Sequence, residues 1–204
     1  RLSLVGSEMC IRDSLKGVRS TNPVVVGDEV VCEADEGGDY VIADILPRRN
    51  YVIRRASNLS KESHIIAANV DQALLMASLR SPETPTEFVD RFLVTCEAYK
   101  VPVTILLSKI DLQDAEAVAE FRAVYEGAGY RVLEVSARKG LGVEEVRELL
   151  TGRTTLVSGN SGVGKSTLIQ AIDPSLDIRT GEISESHHKG RHTTTFSTMY
   201  PLAG

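Results

Sequence analysis

Residues Gly159-Asn160-Ser161-Gly162-Val163-Gly164-Lys165-Ser166-Thr167 carry the spacing G-x-x-x-x-G-K-S, which suits the grip of a polyphosphate. Its glycines permit close backbone approaches that a Cβ would block. Successive backbone N–H groups then converge on phosphate oxygens, reinforced by the positive end of the following helix. Lys165 brings a point charge to the β and γ phosphates. The Ser166 hydroxyl suits Mg²⁺, a hard cation that takes oxygen ligands. The bland reading is a glycine-rich loop capping a helix. The strand-like "TTLVS" before the loop and the helical "GKSTLIQAID" that it opens favour the phosphate reading.

A phosphate loop does not choose a base. Ser108-Lys109-Ile110-Asp111 closes the apolar run "VPVTILLS". The Asp111 carboxylate suits two hydrogen bonds from guanine, at its ring N–H and exocyclic amine, a donor pair that adenine lacks. The aliphatic stem of Lys109 suits the face of a base. Ser136-Ala137-Arg138 follows the next strand-like segment, and a tight turn of small residues there aims a backbone N–H at the guanine carbonyl. Each element alone also fits an ordinary polar loop. With the phosphate loop they make three loops, each at the C-terminal end of a predicted parallel strand, where open α/β sheets bind ligands.

Residues 179–195, "RTGEISESHHKGRHTTT", are polar with weak periodicity. Long polar loops in compact domains are usually functional, and in nucleotide hydrolases the γ-phosphate and its metal order them. Thr193, Thr194 and Thr195 are candidates to complete a Mg²⁺ shell; spacing alone does not separate them, and Thr194 is the working choice. His192 stands beside them, near the place of an attacking water; a solvated loop histidine is the plain alternative. His187, His188, Lys189 and Arg191 suit phosphates or RNA, and no Cys or further His supports a transition-metal site at the adjacent histidines.

The segments that must position these loops alternate. From residue 70, apolar strand-like runs (72–79, 101–108, 130–136, 154–159) interleave with helical stretches (86–100, 114–129, 142–152, 164–173). In the first helical stretch Phe88, Phe92, Leu93 and Cys96 recur at helical spacing. Such alternation predicts a parallel sheet with helices on both faces, and continuous apolar strands are what a doubly covered sheet requires. Residues 15–66 read instead as short strands with turns, two β-branched runs around Gly27-Asp28, another after Gly37-Gly38, and "RRNYVIRRA" with Tyr51 and Ile53 on one face, which suggests a small, partial β-barrel. Residues 56–69 read as the linker out of it.

The composition is that of an ordinary globular chain: 204 residues, 42% hydrophobic, 25% charged, net charge −5 and mean hydropathy −0.06. Collagen-like, disordered and disulfide-scaffold classes are excluded. No apolar run reaches the ~18 residues of a membrane span. Cys10, Cys32 and Cys96 lie far apart, without zinc-ligand spacing, which points to a reducing, cytoplasmic setting. The chain starts at Arg1 and stops at Gly204, which suggests a fragment. Residues 1–14, "RLSLVGSEMCIRDS", follow no helix or strand period and resemble a translated sequencing-adapter tail. They are expected to be an artefactual or disordered tail without function.

The order of these motifs is distinctive. "SKID" and "SAR" precede "GNSGVGKST", which precedes "HTTT", whereas most GTPases place the phosphate loop first. That is a circular permutation, which a spatial site tolerates. With the leading barrel, "GRHTTT", "LKGVRSTNPVVVGDEV", "ILPRRNYVIRRASNLSKESHIIAANVDQ" and "FVDRFLVTCEAYKVPV", residues 15–204 resemble the ribosome small-subunit-dependent GTPase family (RsgA). The resemblance implies an α/β fold: a P-loop GTPase domain of permuted motif order over 67–204, after a partial OB-type β-barrel over 15–66. It implies GTP and GDP at the phosphate loop, Mg²⁺, catalysis involving Lys165, His192 and Thr194, and a cytoplasmic switch in late maturation of the small ribosomal subunit. A monomer is expected, with rRNA as partner and no membrane. Two family features are not seen here: the Asp-x-Pro-Gly loop and the C-terminal zinc-binding domain. The base motif opens with Ser108 where the family carries asparagine; serine keeps a hydroxyl to tie this loop to the phosphate loop, with shorter reach.

Arg48, Arg49, Arg54 and Arg55 surround Tyr51, a pattern that suits RNA through bidentate phosphate contacts and base stacking. The alternative is a charged barrel edge that keeps the strand soluble. Two other functions remain open at this level: a P-loop ATPase, and a non-catalytic RNA-binding module that a nucleotide stabilises.

Overall fold

The computed structural model describes residues 24–34, 37, 39–55, 63–176 and 198–202. The chain divides into two compact units, with the main change between Val70 and Asp71; the described residues 198–201 group with the first unit.

In the first unit, β1 (Val30–Ala34) pairs antiparallel with β2 (Tyr40–Ile45), and β3 (Tyr51–Arg55) pairs antiparallel with β4 (Ser63–Ala68). These short antiparallel strands fit a partial OB-like region. Each ladder carries a bulge, at Val31/Cys32 and at Val52/Ile53. The extra residue of the second bulge is Ile66 on β4, so β3 keeps the alternation expected of "RRNYVIRRA": Val52 is buried, while Tyr51 and Ile53 are both half-buried. Two segments differ from expectation. The first β-branched run before Gly27 is not a strand: Asp28 N donates to Val25 O at 3.1 Å and closes a turn. Residues 63–68, expected within a linker, form β4. Asp28 is the anchor of that turn. It is buried, accepts Val25 N at 2.9 Å, and takes two bonds from the Arg48 guanidinium at 2.6 and 2.8 Å.

In the second unit, β5 (Gln72–Ala77), β6 (Val103–Ser108), β7 (Arg131–Val135) and β8 (Thr155–Gly159) form a parallel sheet in the order β7-β6-β5-β8. Four helices connect and follow them: α1 (Thr86–Ala98), α2 (Ala115–Gly127), α3 (Val143–Leu150) and α4 (Lys165–Ile172). Alternate strand residues serve opposite faces. Leu74, Met76, Leu106, Leu133 and Val135 pack with Val143 and Val146 of α3 and Leu168 and Ile172 of α4. Leu75, Ala77, Ile105, Leu107 and Val132 pack with Val89 and Leu93 of α1 and Val118, Phe121 and Tyr125 of α2. Every residue of β5 is buried, which is why that strand reads as an unbroken apolar run. α2 begins at Asp114, whose carboxylate accepts Glu116 N and Ala117 N at 3.0 and 3.4 Å, a side-chain cap for otherwise unpaired donors.

The chain steps outward from β5 through β6 to β7, then returns to place β8 on the other side of β5. That reversal is a topological switch point, and its crevice lies at the carboxyl ends of β5 and β8.

Candidate functional site

The three motif loops leave the carboxyl ends of β6, β7 and β8 and meet around one cavity of about 350 Å³, within the ~300–1,000 Å³ usual for small-molecule sites. Ser108, Lys109 and Asp111 line it from the loop after β6, Ser136, Ala137 and Arg138 from the loop after β7, and Gly162, Val163, Gly164 and Thr167 from the loop after β8.

The phosphate loop starts at Gly159, whose φ is +153°. A Cβ built there would lie 2.6 Å from Met76 O on β5 and 3.0 Å from a Val163 methyl. Glycine is therefore required by the register between β8 and β5, where Met76 faces Gly159. Lys165 starts α4, and its Nζ donates to Gly159 O and Asn160 O, both at 2.8 Å. Burial holds its ammonium below the ordinary lysine value, since a low-dielectric setting disfavours charge. Ser166 follows in the first turn of α4 and is half-buried. Its hydroxyl oxygen is the donor type a hard cation takes. Asn160 and Ser161 complete the loop.

The base loop is held to this phosphate loop. Ser108 is buried, and its hydroxyl donates to Val163 O at 2.8 Å. Lys109 has a left-handed backbone (φ 55°), and its Nζ donates to Gly162 O at 2.8 Å and to Ser81 O. Burial first, then the nearby Arg138 charge, lower its pKa. Ser136 Oγ donates to Asp111 Oδ1 at 2.5 Å. The loop after β7 thereby fixes one carboxylate oxygen of Asp111, the residue that the sequence expects to face the base. Ile110 turns elsewhere: half-buried, it packs against the buried core on the α1/α2 face.

Several residues of the cavity carry no sequence motif. Met76, Ser81, Leu112 and Val135 also line it. Ser81 sits in the loop after β5, and "SPETP" with its two prolines was a turn signal at another strand's carboxyl end. A wider hollow of about 520 Å³ lies along α2, where Arg122 pairs with Glu126 and Glu134, each at 2.8 Å. Ile110 is the one member of the three motifs that reaches it.

His192 and Thr194, with Thr193 and Thr195, fall outside the described residues, as do His187, His188, Lys189 and Arg191. The side chains of Arg54 and Arg55 are likewise outside them. Arg48 is drawn into the Asp28 ion pair. Arg49 donates to Asn69 through its backbone N (2.7 Å) and a guanidinium nitrogen (2.9 Å). Among the described residues no group of His, Cys, Asp and Glu is placed to hold a metal ion, and no helix is long and apolar enough to cross a membrane.

The sequence profile of the family described as RsgA GTPase matches residues 45–204. The chain belongs to the RsgA GTPase family. Its RsgA relatives include the "Small ribosomal subunit biogenesis GTPase RsgA" of Bacteroides fragilis, 52% identical over 193 residues, which span 93% of this chain and 62% of that protein. The protein of the same name from Porphyromonas gingivalis is 53% identical over 190 residues, 91% of this chain and 60% of that protein. The chain thus spans about three-fifths of the length of these curated relatives. Two solved structures are similar. The crystal structure of YjeQ from Thermotoga maritima is 36% identical with a TM-score of 0.60, over 77% of this chain and 54% of that one. The crystal structure of YloQ, a circularly permuted GTPase, is 31% identical with a TM-score of 0.54, over 78% and 54%. The second of these neighbours is itself described as circularly permuted, the arrangement read here from the motif order.

Proposed function

We propose that this chain binds guanine nucleotides in the cavity at the ends of β6, β7 and β8, hydrolyses GTP, and acts in the cytoplasm as a switch in maturation of the small ribosomal subunit. The observation that carries the reading is the convergence of three loops, distant in sequence, on one cavity. The relatives' names supply the biological setting.

In this reading Asp111, oriented by Ser136, accepts the two guanine donors, and the Lys109 stem covers the base. Residues 159–167 wrap the phosphates, and Lys165 exchanges its loop carbonyls for β- and γ-phosphate oxygens. Hydrolysis is a direct attack of water on the γ-phosphorus, in line with the leaving β–γ bridging oxygen, without a covalent enzyme intermediate. Lys165 offsets charge that develops on the transferred group. His192 positions the water. Ser166 and Thr194 hold Mg²⁺, which neutralises phosphate charge when bound. The unit before Val70 supplies the rRNA contact through Arg49, Tyr51, Arg54 and Arg55, with Arg48 mainly holding the Asp28 turn.

Titration calorimetry with GDP and ADP tests the base assignment. Expected is binding of GDP without ADP, weakened but still measurable in Lys165→Ala. In Asp111→Asn the preference moves to xanthine nucleotides, because the carboxamide donates where the carboxylate accepted. Equal affinity for GDP and ADP would sink the guanine reading in favour of an ATPase. GTP turnover with and without small subunits tests the switch, and equal rates would count against it.

A further inference from the structure

Gln113 lies two residues past Asp111, outside the base motif. Its Nε2 donates to Ser108 O at 3.3 Å, Lys109 O at 3.1 Å and Ser78 Oγ at 3.2 Å. Two of these acceptors are main-chain carbonyls, so the orientation of the amide is fixed. Ser78 closes the loop that follows β5. It is fully buried; its Oγ donates to Arg80 O at 2.6 Å, its backbone N donates to Thr84 Oγ1 at 3.0 Å, and Thr84 N donates to Ser78 O at 2.7 Å. Lys109 reaches the same loop at Ser81 O. The base loop is thus held from two sides, by the phosphate loop through Ser108 and Lys109 and by the loop Ser78–Thr84 through Gln113 and Lys109.

Gln113 Oε1 is buried and has no hydrogen-bond partner among the described residues. A buried acceptor without a donor destabilises a fold, and a leucine of similar size would bury no such atom. Fold stability alone is a poor account of this glutamine. Its bond to Lys109 O instead braces a lysine in a backbone conformation that non-glycine residues seldom adopt. The Asp111 carboxylate is fixed on its β7 side by Ser136; the peptides that lead to it are fixed by Gln113.

We propose that Gln113, braced on Ser78, is a positioning residue for guanine recognition: it sets the Ser108 and Lys109 peptides so that Asp111 meets both guanine donors. The proposal rests on the guanine reading given above. Inosine lacks the exocyclic amine, so the preference for GDP over inosine diphosphate reads the second Asp111 contact alone. A hydrogen bond to a charged acceptor corresponds to about a ten- to hundredfold preference.

The experiment measures both affinities by calorimetry in the full-length protein, for the parent, Gln113→Leu and Ser78→Ala, with a thermal melt of each. Expected is a parent preference of that size, collapsing toward equality in Gln113→Leu while the melting temperature holds or rises. Ser78→Ala shifts the preference the same way and carries the test if the leucine variant does not fold. A preference unchanged in both variants overturns the proposal. So does an equal loss of both nucleotides in step with a lower melting temperature, the mark of a merely structural residue. A parent that binds no GDP overturns the guanine reading itself, and the proposal with it.

Discussion

Lys165 shows how one residue joins two states of the site. Its ammonium lies against two loop carbonyls and is partly desolvated, so its pKa falls below the ordinary lysine value. The sign follows from linkage. Below the lowered pKa the lysine is charged in folded and unfolded chains alike, and the full cost of burying the charge is present. As pH rises from the lowered value to the ordinary one, the folded chain sheds the proton first and that cost is relieved. A polyphosphate acts in the opposite direction and raises the pKa. Binding of GTP at alkaline pH is therefore expected to take up protons, an uptake absent in Lys165→Ala. Calorimetry in buffers of different ionisation enthalpy measures it; identical proton uptake in both proteins would show that Lys165 does not meet the phosphates. The positions of Lys165 and Asp111 at strand carboxyl ends were legible from their motifs and the apolar runs before them. Gln113 was not, because its role depends on Ser78 and two carbonyls, and no motif encodes that meeting.

At the level of elements, the turn from β7 to α3 holds the Ser136 side of the site. Gly142 caps α3 at φ +67°, and a Cβ there would lie 2.3 Å from Glu134 O. Gly152, at the end of α3, has φ +68° and open space around a Cβ. Gly152→Ala is expected to cost about 1–2 kcal/mol, the conformational penalty alone. Gly142→Ala adds a backbone clash, costs more, and weakens GDP binding by displacing the turn at Ser136. Denaturant melts of the two variants rank them, and equal losses would refute the clash. The sheet strands were readable as apolar runs because both faces are covered. β4 was not, because its polar start, Ser63-His64, merges with the polar stretch before it. It becomes a strand by pairing with β3, a long-range fact.

For the molecule, order along the chain and order in space are different quantities. The sheet runs β7-β6-β5-β8, so the last strand among the described residues stands beside the first strand of its sheet and brings the phosphate loop to the switch point. Circular permutation leaves the site intact for this reason: the loops are fixed by strand neighbours and not by connectivity. The unit before Val70 depends on a buried pair. Removing the Asp28 carboxylate leaves Arg48 and Val25 N without that partner, and Asp28→Ala is expected to cost about 2–4 kcal/mol, less than a fully buried pair because Arg48 keeps some contact with water. Amide exchange in β1–β4 reports the loss. Exchange as slow as in the parent would mean that the turn is held by its backbone alone.

What the sequence determined by itself was local or periodic: the glycine-rich loop with its flanking strand and helix, the place of Asp111 just past a strand, the apolar strands, and the permuted motif order with the family it resembles. These are written in residue types at short spacing, where sterics and hydrogen bonding act between near neighbours. Only the tertiary structure decided which strands are neighbours, that Gly159 must be glycine against Met76 O, that Arg48 answers Asp28, and that Ser78 and Gln113 brace the base loop. Those facts arise where segments far apart in sequence come within a few ångströms of each other. No single segment carries the information about what it will touch.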